Sequence, residues 1–326
     1  MDSQKAPTRA LKVANKVKRK ELFVQHKKDK DKKRREERLQ RKKEEDRNPE
    51  LKTARLAKNA PKTLDQKRVW DDVDDDSLGV IFPTLFTDIP PPTPKILVTT
   101  SLNSTLHEEA HLLTTLFPNS NYIPRSSHRY GHKYSLRDIC KFCIGRDYTA
   151  VVLLKEDSKK PTGMSIVHLP SGPTFHFSIS NWVEGKKLPG HGNPTNHYPE
   201  LLLNNFKTPL GLLTAKVFQT LFPPAPEFQG RQVITLHNQR DYIFVRRHRY
   251  VFRDKRATEK SVVAADGEKM KGVEQIRAGL QELGPRFTLK LRRVDKGIGR
   301  AGSEGDDATQ WEWKAKMEKD RKRFNL

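Results

Sequence analysis

A run of arginines interleaved with aromatic residues lies between positions 240 and 253. Arginine pairs with phosphate through two parallel hydrogen bonds, and aromatic rings stack on unpaired bases. The same pattern is typical of a strand whose aromatics are core and whose arginines edge a sheet, and both interpretations stay open. The run consists of Arg240, Tyr242, Phe244, Arg246, Arg247, Arg249, Tyr250, Phe252 and Arg253. A smaller group of the same kind consists of Arg125, His128, Arg129, Tyr130, Lys133 and Tyr134.

A second basic row begins after a Gly-Pro pair near position 285. From Arg286 to Arg293, three apolar residues alternate with a threonine, Lys290 and Arg292. A strand with this period has one apolar and one cationic face. Evenly spaced positive charge on an open face suits a phosphate backbone, whereas a half-exposed strand with solvated cations is the alternative.

Three short motifs give weaker signals. Cys140-x-x-Cys143 lacks a second cysteine pair and lies on the apolar face of its helix, which favours core cysteines over zinc. His128 and His132 are four apart in a stretch typical of a loop. Residues 297–302 match G-x-G-x-x-G outside the βαβ context of a dinucleotide site, so we interpret the match as accidental. No nucleophile–base arrangement is evident at strand ends or helix termini, and we expect no enzyme.

Apolar periodicity predicts an α/β domain. We expect strands at 96–98, 149–154, 164–169 and 174–179, a hairpin of 232–236 with 242–252, and the basic strand after residue 285. We expect four helices. The first covers 102–117 and is capped by a residue among 103–105; the second begins at the capping box Ser135-x-x-Asp138; the third begins at Thr208-Pro209; and the fourth covers 273–283. Thr-Leu-Phe-Pro closes the first and third of these helices, at 115–118 and 220–223, which makes a duplicated, two-lobed domain plausible.

The charge is unevenly distributed along the chain. The 326 residues carry a formal net charge of +23, and more than half of the excess lies in residues 1–70. This asymmetry favours a polyanionic partner, nucleic acid before membrane. No apolar run approaches the roughly 20 residues of a membrane helix. Two cysteines cannot form a disulfide framework, so we expect an intracellular protein.

Composition also divides the chain. We predict a basic N-terminal arm at 1–70, helical or disordered, and a solvated acidic, proline-rich linker at 71–92. The folded domain is expected at 93–300, with a tail at 301–326. Residues 257–271 are typical of a flexible insertion.

Four stretches carry a resemblance to a known family. Residues 282–291, Glu-Leu-Gly-Pro-Arg-Phe-Thr-Leu-Lys-Leu, resemble the C-terminal signature of the Brix-domain family of ribosome-assembly proteins. Residues 143–149, 199–206 and 237–244 are similar to that family as well, so the resemblance covers roughly 93–297 and part of the tail. The insertion at 257–271 and the glycines after residue 296 depart from its pattern.

The resemblance implies a fold and a role. The fold would be two similar α/β lobes, 93–185 and 186–300, akin to the anticodon-binding domain of some aminoacyl-tRNA synthetases. The role would be non-enzymatic processing of precursor rRNA for the large (60S) ribosomal subunit, in the nucleus and nucleolus and without a cofactor. Partners would be precursor rRNA, a smaller dedicated assembly factor and other pre-ribosomal proteins.

Resemblance and charge together favour an RNA-binding assembly factor. A protein–protein scaffold with only non-specific RNA contact is the alternative, and an RNA hydrolase is a third class. The side chains that we expect to bind RNA are Arg286, Lys290, Arg292, Arg293, Arg240, Arg246, Arg247, Arg249, Arg253, Tyr242, Tyr250, Arg125, Arg129 and Lys133.

Overall fold

The computed structural model describes residues 15–58, 75–86, 93–127, 129–259, 272, 275–298, 309–314, 317 and 323–326. Most of the predicted insertion, residues 260–271, and the glycine motif beyond residue 298 lie outside this part. The chain divides into two compact units, Met1–Gln66 and Lys67–Leu326.

The first unit contains two cationic helices, α1 (Lys16–Arg47) and α2 (Pro49–Lys58). The Asn15 side chain caps α1 by accepting hydrogen bonds from the amides of Val17 and Lys18. No residue of α1 is buried, because its sequence offers almost no apolar face. Arg55 donates from Nη2 to Glu45 at 2.9 Å, which joins the two helices.

The second unit is built on one mixed sheet. Its strands are β1 (Ile96–Thr100), β2 (Ser120–Tyr122), β3 (Ala150–Asp157), β4 (Lys160–His168), β5 (Thr174–Val183), β6 (Glu200–Asn204), β7 (Gln232–Gln239), β8 (Tyr242–Asp254), β9 (Ile276–Glu282), β10 (Arg286–Asp295) and β11 (Thr309–Glu312). Its helices are α3 (Asp75–Ile81), α4 (His107–Leu116), α5 (Leu136–Ile144) and α6 (Pro209–Gln219).

Strand β10 connects the two halves of the sheet. The order is β2-β1-β3-β4-β5-β10-β8-β7-β6, with β11 paired to β10 and β9 paired to β8. Parallel pairing joins β1 to both β2 and β3, and β6 to β7. The basic row of the sequence therefore lies in the middle of the sheet, between β5 and β8.

One continuous core covers one face of this sheet. Helices α4 and α6 contribute to it, and the ring of Phe177 on β5 lies 5.5 Å from that of Phe218 on α6. On the other face, α5 covers only the β1–β3–β4 region, where Cys140 and Cys143 pack with Val151 and Val167. Burial raises the thiol pKa to about 12 for Cys140 and about 11 for Cys143, so both behave as core residues.

The predicted helix over 273–283 is wrong. Residues 276–282 form β9, with Leu280 paired to Tyr250. The prediction relied on Val273, Ile276, Leu280 and Leu283, which recur at helical spacing. Within this set, Ile276 and Leu280 are four apart, which fits one face of a strand as well as one face of a helix. Pairing with the long strand β8 decides between the two.

Segments outside the predicted 93–300 domain also belong to the core. Leu78, Phe82 and Leu85 are buried, so residues 75–86 are not a solvated linker. From the tail, β11 extends the sheet and Leu326 packs in the main core.

Helix α4 begins later than predicted. The hydroxyls of Ser104 and Thr105 donate to the Glu156 carboxylate instead of capping the helix, which starts at His107. None of the helices that the structure describes combines the length and apolar character needed to cross a membrane.

A close backbone approach before β10 predicts a stability effect. Gly284 has φ +69°, and an added Cβ would lie 2.5 Å from Gly185 Cα. We expect Gly284→Ala to lower the free energy of unfolding by about 2 kcal/mol or more, measured by urea denaturation. Gly190 has φ +65° and nothing within 4 Å of an added Cβ, so Gly190→Ala is the matched control for backbone strain alone. Equal losses in the two variants would contradict the proposed crowding.

Buried histidines predict a pH dependence. Desolvation lowers the pKa of His168, His176 and His248 below 6.5. The unfolded chain then binds protons that the native protein does not, so the free energy of unfolding should fall as the pH drops from about 7 to about 5, below the unfolded pKa of 6.5. Urea titrations across that interval test this. His168→Gln should flatten the decline, whereas the same change at the exposed His132 should not; an unchanged slope in His168→Gln would contradict the assignment.

Candidate nucleic-acid interface

Of the helices that the structure describes in the second unit, none packs on one face of the sheet centre, and we call this face the open face. Lys290 on β10 pairs with Tyr242 on β8 and with Ser178 on β5, so these three side chains share this face. The neighbouring Leu289 pairs with Ile243 and lies on the core face. The alternation predicted for the basic row is therefore present, with cations opposite the core.

Four side chains form a platform on the open face. The Lys290 ammonium lies 4.9 Å from the centre of the Tyr242 ring and 4.6 Å from the Trp313 ring. The Arg292 guanidinium lies 4.4 Å from the Trp313 ring and donates from Nε to Ser178 Oγ at 2.9 Å. A hydrogen bond of 2.8 Å from the Trp313 amide to the Arg292 carbonyl holds the tryptophan in place. We call Tyr242, Lys290, Arg292 and Trp313 the cation–aromatic platform.

The platform is accessible and has no carboxylate among its recorded contacts. Tyr242 is 41% exposed, and Lys290, Arg292 and Trp313 are partly exposed. Cation–π contacts pre-orient the two cations without neutralising them. Both charge and ring surface are thus available to a polyanion that carries aromatic bases.

Glu282 balances two further cations of the open face. Its carboxylate lies 3.2 Å from Arg246 Nη1 and 3.4 Å from Arg286 Nη1. The arginines are 37% and 36% exposed and Glu282 is 19% exposed, so solvent screens these ion pairs only in part. A phosphate that approached the two arginines would compete with this carboxylate.

Arg293 is held by a buried network. Its Nε donates to Asp295 at 2.5 Å, and the Asp295 carboxylate is fully buried. His176 Nε2 lies 3.3 Å from the same carboxylate, and His176 Nδ1 lies 2.8 Å from Ser165 Oγ. The lowered pKa of His176 keeps it neutral at pH 7, so it donates to Asp295 and accepts from Ser165.

This Ser–His–Asp arrangement was not predicted, because its members come from β4, β5 and β10. Ser165 is fully buried, so its hydroxyl is inaccessible to a substrate. The arrangement supports Arg293 and does not provide an exposed nucleophile. Within the described residues, no three His, Cys, Asp or Glu side chains converge as metal ligands.

The arginines of β8 are divided between the two faces. Arg246 lies on the open face. Side chains alternate along a strand, so Arg247 and Arg249 lie on the core side. Arg247 is only 2% exposed and donates to Gln232 and to the Thr115 carbonyl. Arg247 therefore does not share the open face with Arg246, and the prediction that it binds an RNA backbone stays a prediction.

The other predicted residues of this region have separate surroundings. Arg249 donates to the Asn193 carbonyl at 2.8 Å, and Arg253 pairs with Glu259 at 2.6 Å. The Tyr250 hydroxyl donates to Glu200. Arg240 is exposed at the β7–β8 turn with φ +55°. These residues surround the second half of the sheet and do not join the platform.

The smaller basic group lies beyond β2, at the edge of the sheet. Four strands separate β2 from β10, so this group is distinct from the platform. Arg129 and Lys133 approach the Tyr130 ring at 5.7 Å and 4.9 Å. Arg125 donates to the Tyr134 carbonyl, and its buried Nε has no hydrogen-bond partner among the residues that the structure describes. Arg125 therefore braces the loop, whereas Arg129 and Lys133 are exposed.

Trp313 is the platform residue that sequence reasoning did not select. The pattern Trp311-x-Trp313 was the available signal, since tryptophan in a polar tail is unusual. Its position depends on β11 pairing with β10, with Trp311 opposite Val294. That long-range pairing could not be derived from local periodicity.

Comparisons with known proteins agree with this architecture. Residues 99–293 match the Brix domain family. The chain is 42% identical over 325 residues to "Ribosome production factor 1" of Saccharomyces cerevisiae, covering 97% of this chain and 98% of that protein. It is 39% identical over 282 residues to "Ribosome production factor 1" of Pongo abelii, covering 82% of this chain and 72% of that protein.

A solved structure aligns more loosely. The "probable ribosomal biogenesis protein from Aeropyrum pernix K1" is 15% identical, covers 60% of this chain and 96% of its own, and has a TM-score of 0.38. The family assignment depends on the sequence matches, which extend over most of the chain at high identity. The chain belongs to the Brix-domain family of ribosome biogenesis factors.

Proposed function

We propose that this protein binds precursor rRNA through the open face of its sheet while the large ribosomal subunit is assembled. The observation that carries the proposal is the cation–aromatic platform, where Lys290 contacts the rings of Tyr242 and Trp313 and Arg292 contacts the ring of Trp313. The role is non-catalytic, and its place is the nucleolus, where precursor rRNA is made.

The chemistry of the platform suits single-stranded RNA. Side-chain cations attract phosphates, and base–aromatic stacking contributes about 1–3 kcal/mol per base with little sequence preference. Arg246 and Arg286, which share Glu282, and Arg293, which pairs with His176 on β5, add positive charge near the platform. A strand of RNA crossing β8 and β10 would contact all of them.

The first unit adds charge without a core. Helix α1 is exposed along its length and strongly basic, so it suits non-specific contact with folded rRNA. A smaller dedicated assembly factor and other pre-ribosomal proteins are the expected protein partners. The domain would be a duplication in which β1-α4-β2 and β6-α6-β7 are corresponding units, each a parallel pair around a helix.

A protein scaffold is the second candidate, and one observation favours it. Phe252 is 64% exposed and Leu280 is 63% exposed on the ribbon formed by β8 and β9. Exposed apolar side chains this close together are typical of a protein-binding surface. In this interpretation the open face would have no specific role, and RNA would contact only the basic arm.

A charge-removal variant tests the proposal. We expect Lys290→Gln/Arg292→Gln in the full chain to weaken binding of a single-stranded RNA by about tenfold or more, because two phosphate contacts are lost. The slope of log affinity against log salt should fall by about 1.4. Fluorescence anisotropy across a salt series measures both quantities.

A matched control removes the same charge elsewhere. Lys159→Gln/Lys160→Gln changes two exposed lysines at the β3–β4 turn and should leave RNA affinity nearly unchanged. Arg293 is excluded from the variant, since replacing it would leave the buried Asp295 without its arginine. If the variant and the control lost RNA affinity equally, binding would depend on the overall charge of the chain, and the platform would not be the RNA-binding site.

Removing the first unit separates the two candidates. Truncation should stop before residue 75, because Leu78, Phe82 and Leu85 are core residues. A chain lacking residues 1–66 should keep measurable RNA affinity with a smaller salt slope, because the platform is intact. Complete loss of RNA binding in a folded truncation would favour the scaffold.

A further inference from the structure

Arg247 is a buried cation whose recorded partners are both neutral. Nε and Nη2 donate to the Gln232 side-chain oxygen at 3.1 and 2.7 Å, and Nη1 donates to the Thr115 carbonyl at 2.6 Å. Burial lowers its pKa to about 10, and the positive charge of Arg249 acts in the same direction. Buried charges are normally paired with an opposite charge, and here the described contacts supply none.

The guanidinium keeps capacity for another acceptor. It has five N–H groups, of which the three bonds above use three. Of the two remaining N–H groups, one is on Nη1 and one is on Nη2. Both can donate to the oxygens of a phosphate or carboxylate.

Arg247 lines a polar cleft of about 590 Å³. We define the polar cleft by two walls. One wall comes from α4, β2 and the turn between them, with Thr114, Asn119 and Asn121; the other comes from the segments before β6 and before β7, with Asn196, His197 and Glu227. Gln232 connects Arg247 to the wall before β6: its amide nitrogen donates to the Thr195 carbonyl at 2.8 Å, and its oxygen accepts from Arg247. The cleft is on the core side of β8, away from the platform.

The lining indicates what would complete the site. A phosphate would neutralise Arg247, and the amides of Asn119, Asn121 and Asn196 could donate to and accept from a base edge. The volume exceeds what a lone phosphate needs. Glu227 is the one carboxylate of the lining and is exposed, so it faces solvent at the rim.

We propose that the polar cleft binds one unpaired nucleotide, with its phosphate on Arg247 and its base between the asparagines. This inference deepens the proposed function and rests on it for the source of the nucleotide, an RNA strand. The cleft would be a second contact point, separate from the platform. It would convert charge attraction into a defined position of the RNA.

The test leaves Arg247 in place, because replacing it would leave the Gln232 and Thr115 oxygens without the hydrogen-bond donor they have here. Asn121→Asp/Asn196→Asp adds two negative charges at exposed positions of the rim, at nearly constant shape. Asn103→Asp/Asn181→Asp adds the same charge at exposed positions outside the cleft and is the matched control. The full chain carries ¹⁵N-labelled arginine, and the Arg247 side-chain signal reports occupancy.

Adenosine monophosphate and inorganic phosphate are titrated separately. We expect the Arg247 signal to shift saturably with both, and the nucleotide to bind more tightly. The rim variant should weaken nucleotide binding roughly tenfold, the value of a charge-assisted hydrogen bond, while the control variant behaves like the original chain. A short single-stranded RNA should compete for the same signal.

Other outcomes overturn the inference. If the Arg247 signal did not shift, or if the rim variant bound the nucleotide as tightly as the original chain, the cleft would not be a nucleotide site. Equal affinity for phosphate and nucleotide would remove the base contact, and a shift with a glutamate-rich peptide alone would assign the cleft to a protein. The Lys290→Gln/Arg292→Gln variant distinguishes the two proposals, because it changes the platform and leaves the cleft intact. Nucleotide binding at the cleft should persist in this variant, whether or not the variant loses affinity for RNA.

Discussion

The pairing of β10 with both β5 and β8 is the interaction on which the structure depends. These two ladders join strands from the first and second halves of the chain into one sheet. Because pairing in register also aligns side chains, Leu289 enters the common core while Lys290 is directed to the open face. A single strand thus sets the fold and places the charge.

The same alternation explains why neighbouring arginines have different roles. Arg246 is on the open face and balanced by Glu282, whereas Arg247 points into the core side and is held by neutral oxygens. A basic cluster in sequence is therefore two chemical environments in space. Each environment suits phosphate for a different reason: the open face because it is accessible, and the surroundings of Arg247 because they leave its charge uncompensated.

Much of the architecture could be predicted locally. The alternation along β10, the capping box at Ser135 and the threonine cap at Thr208 are all present, since each depends on residues within one or two turns. β9 was missed because Val273, Ile276, Leu280 and Leu283 recur at helical spacing, while Ile276 and Leu280 also fit one face of a strand. The His176–Asp295 contact of the buried network joins residues 119 apart, and Trp313 reaches the platform through the pairing of β11 with β10, so no local pattern encodes either.

Ultraviolet crosslinking of the full chain to single-stranded RNA, followed by peptide mapping, tests the central claim most directly. Tyrosine and tryptophan rings that stack on bases crosslink efficiently, so their peptides report contact in place. The account predicts crosslinks at Tyr242 and Trp313, on segments that only the folded sheet brings together. Crosslinks confined to the basic helices of the first unit would contradict it.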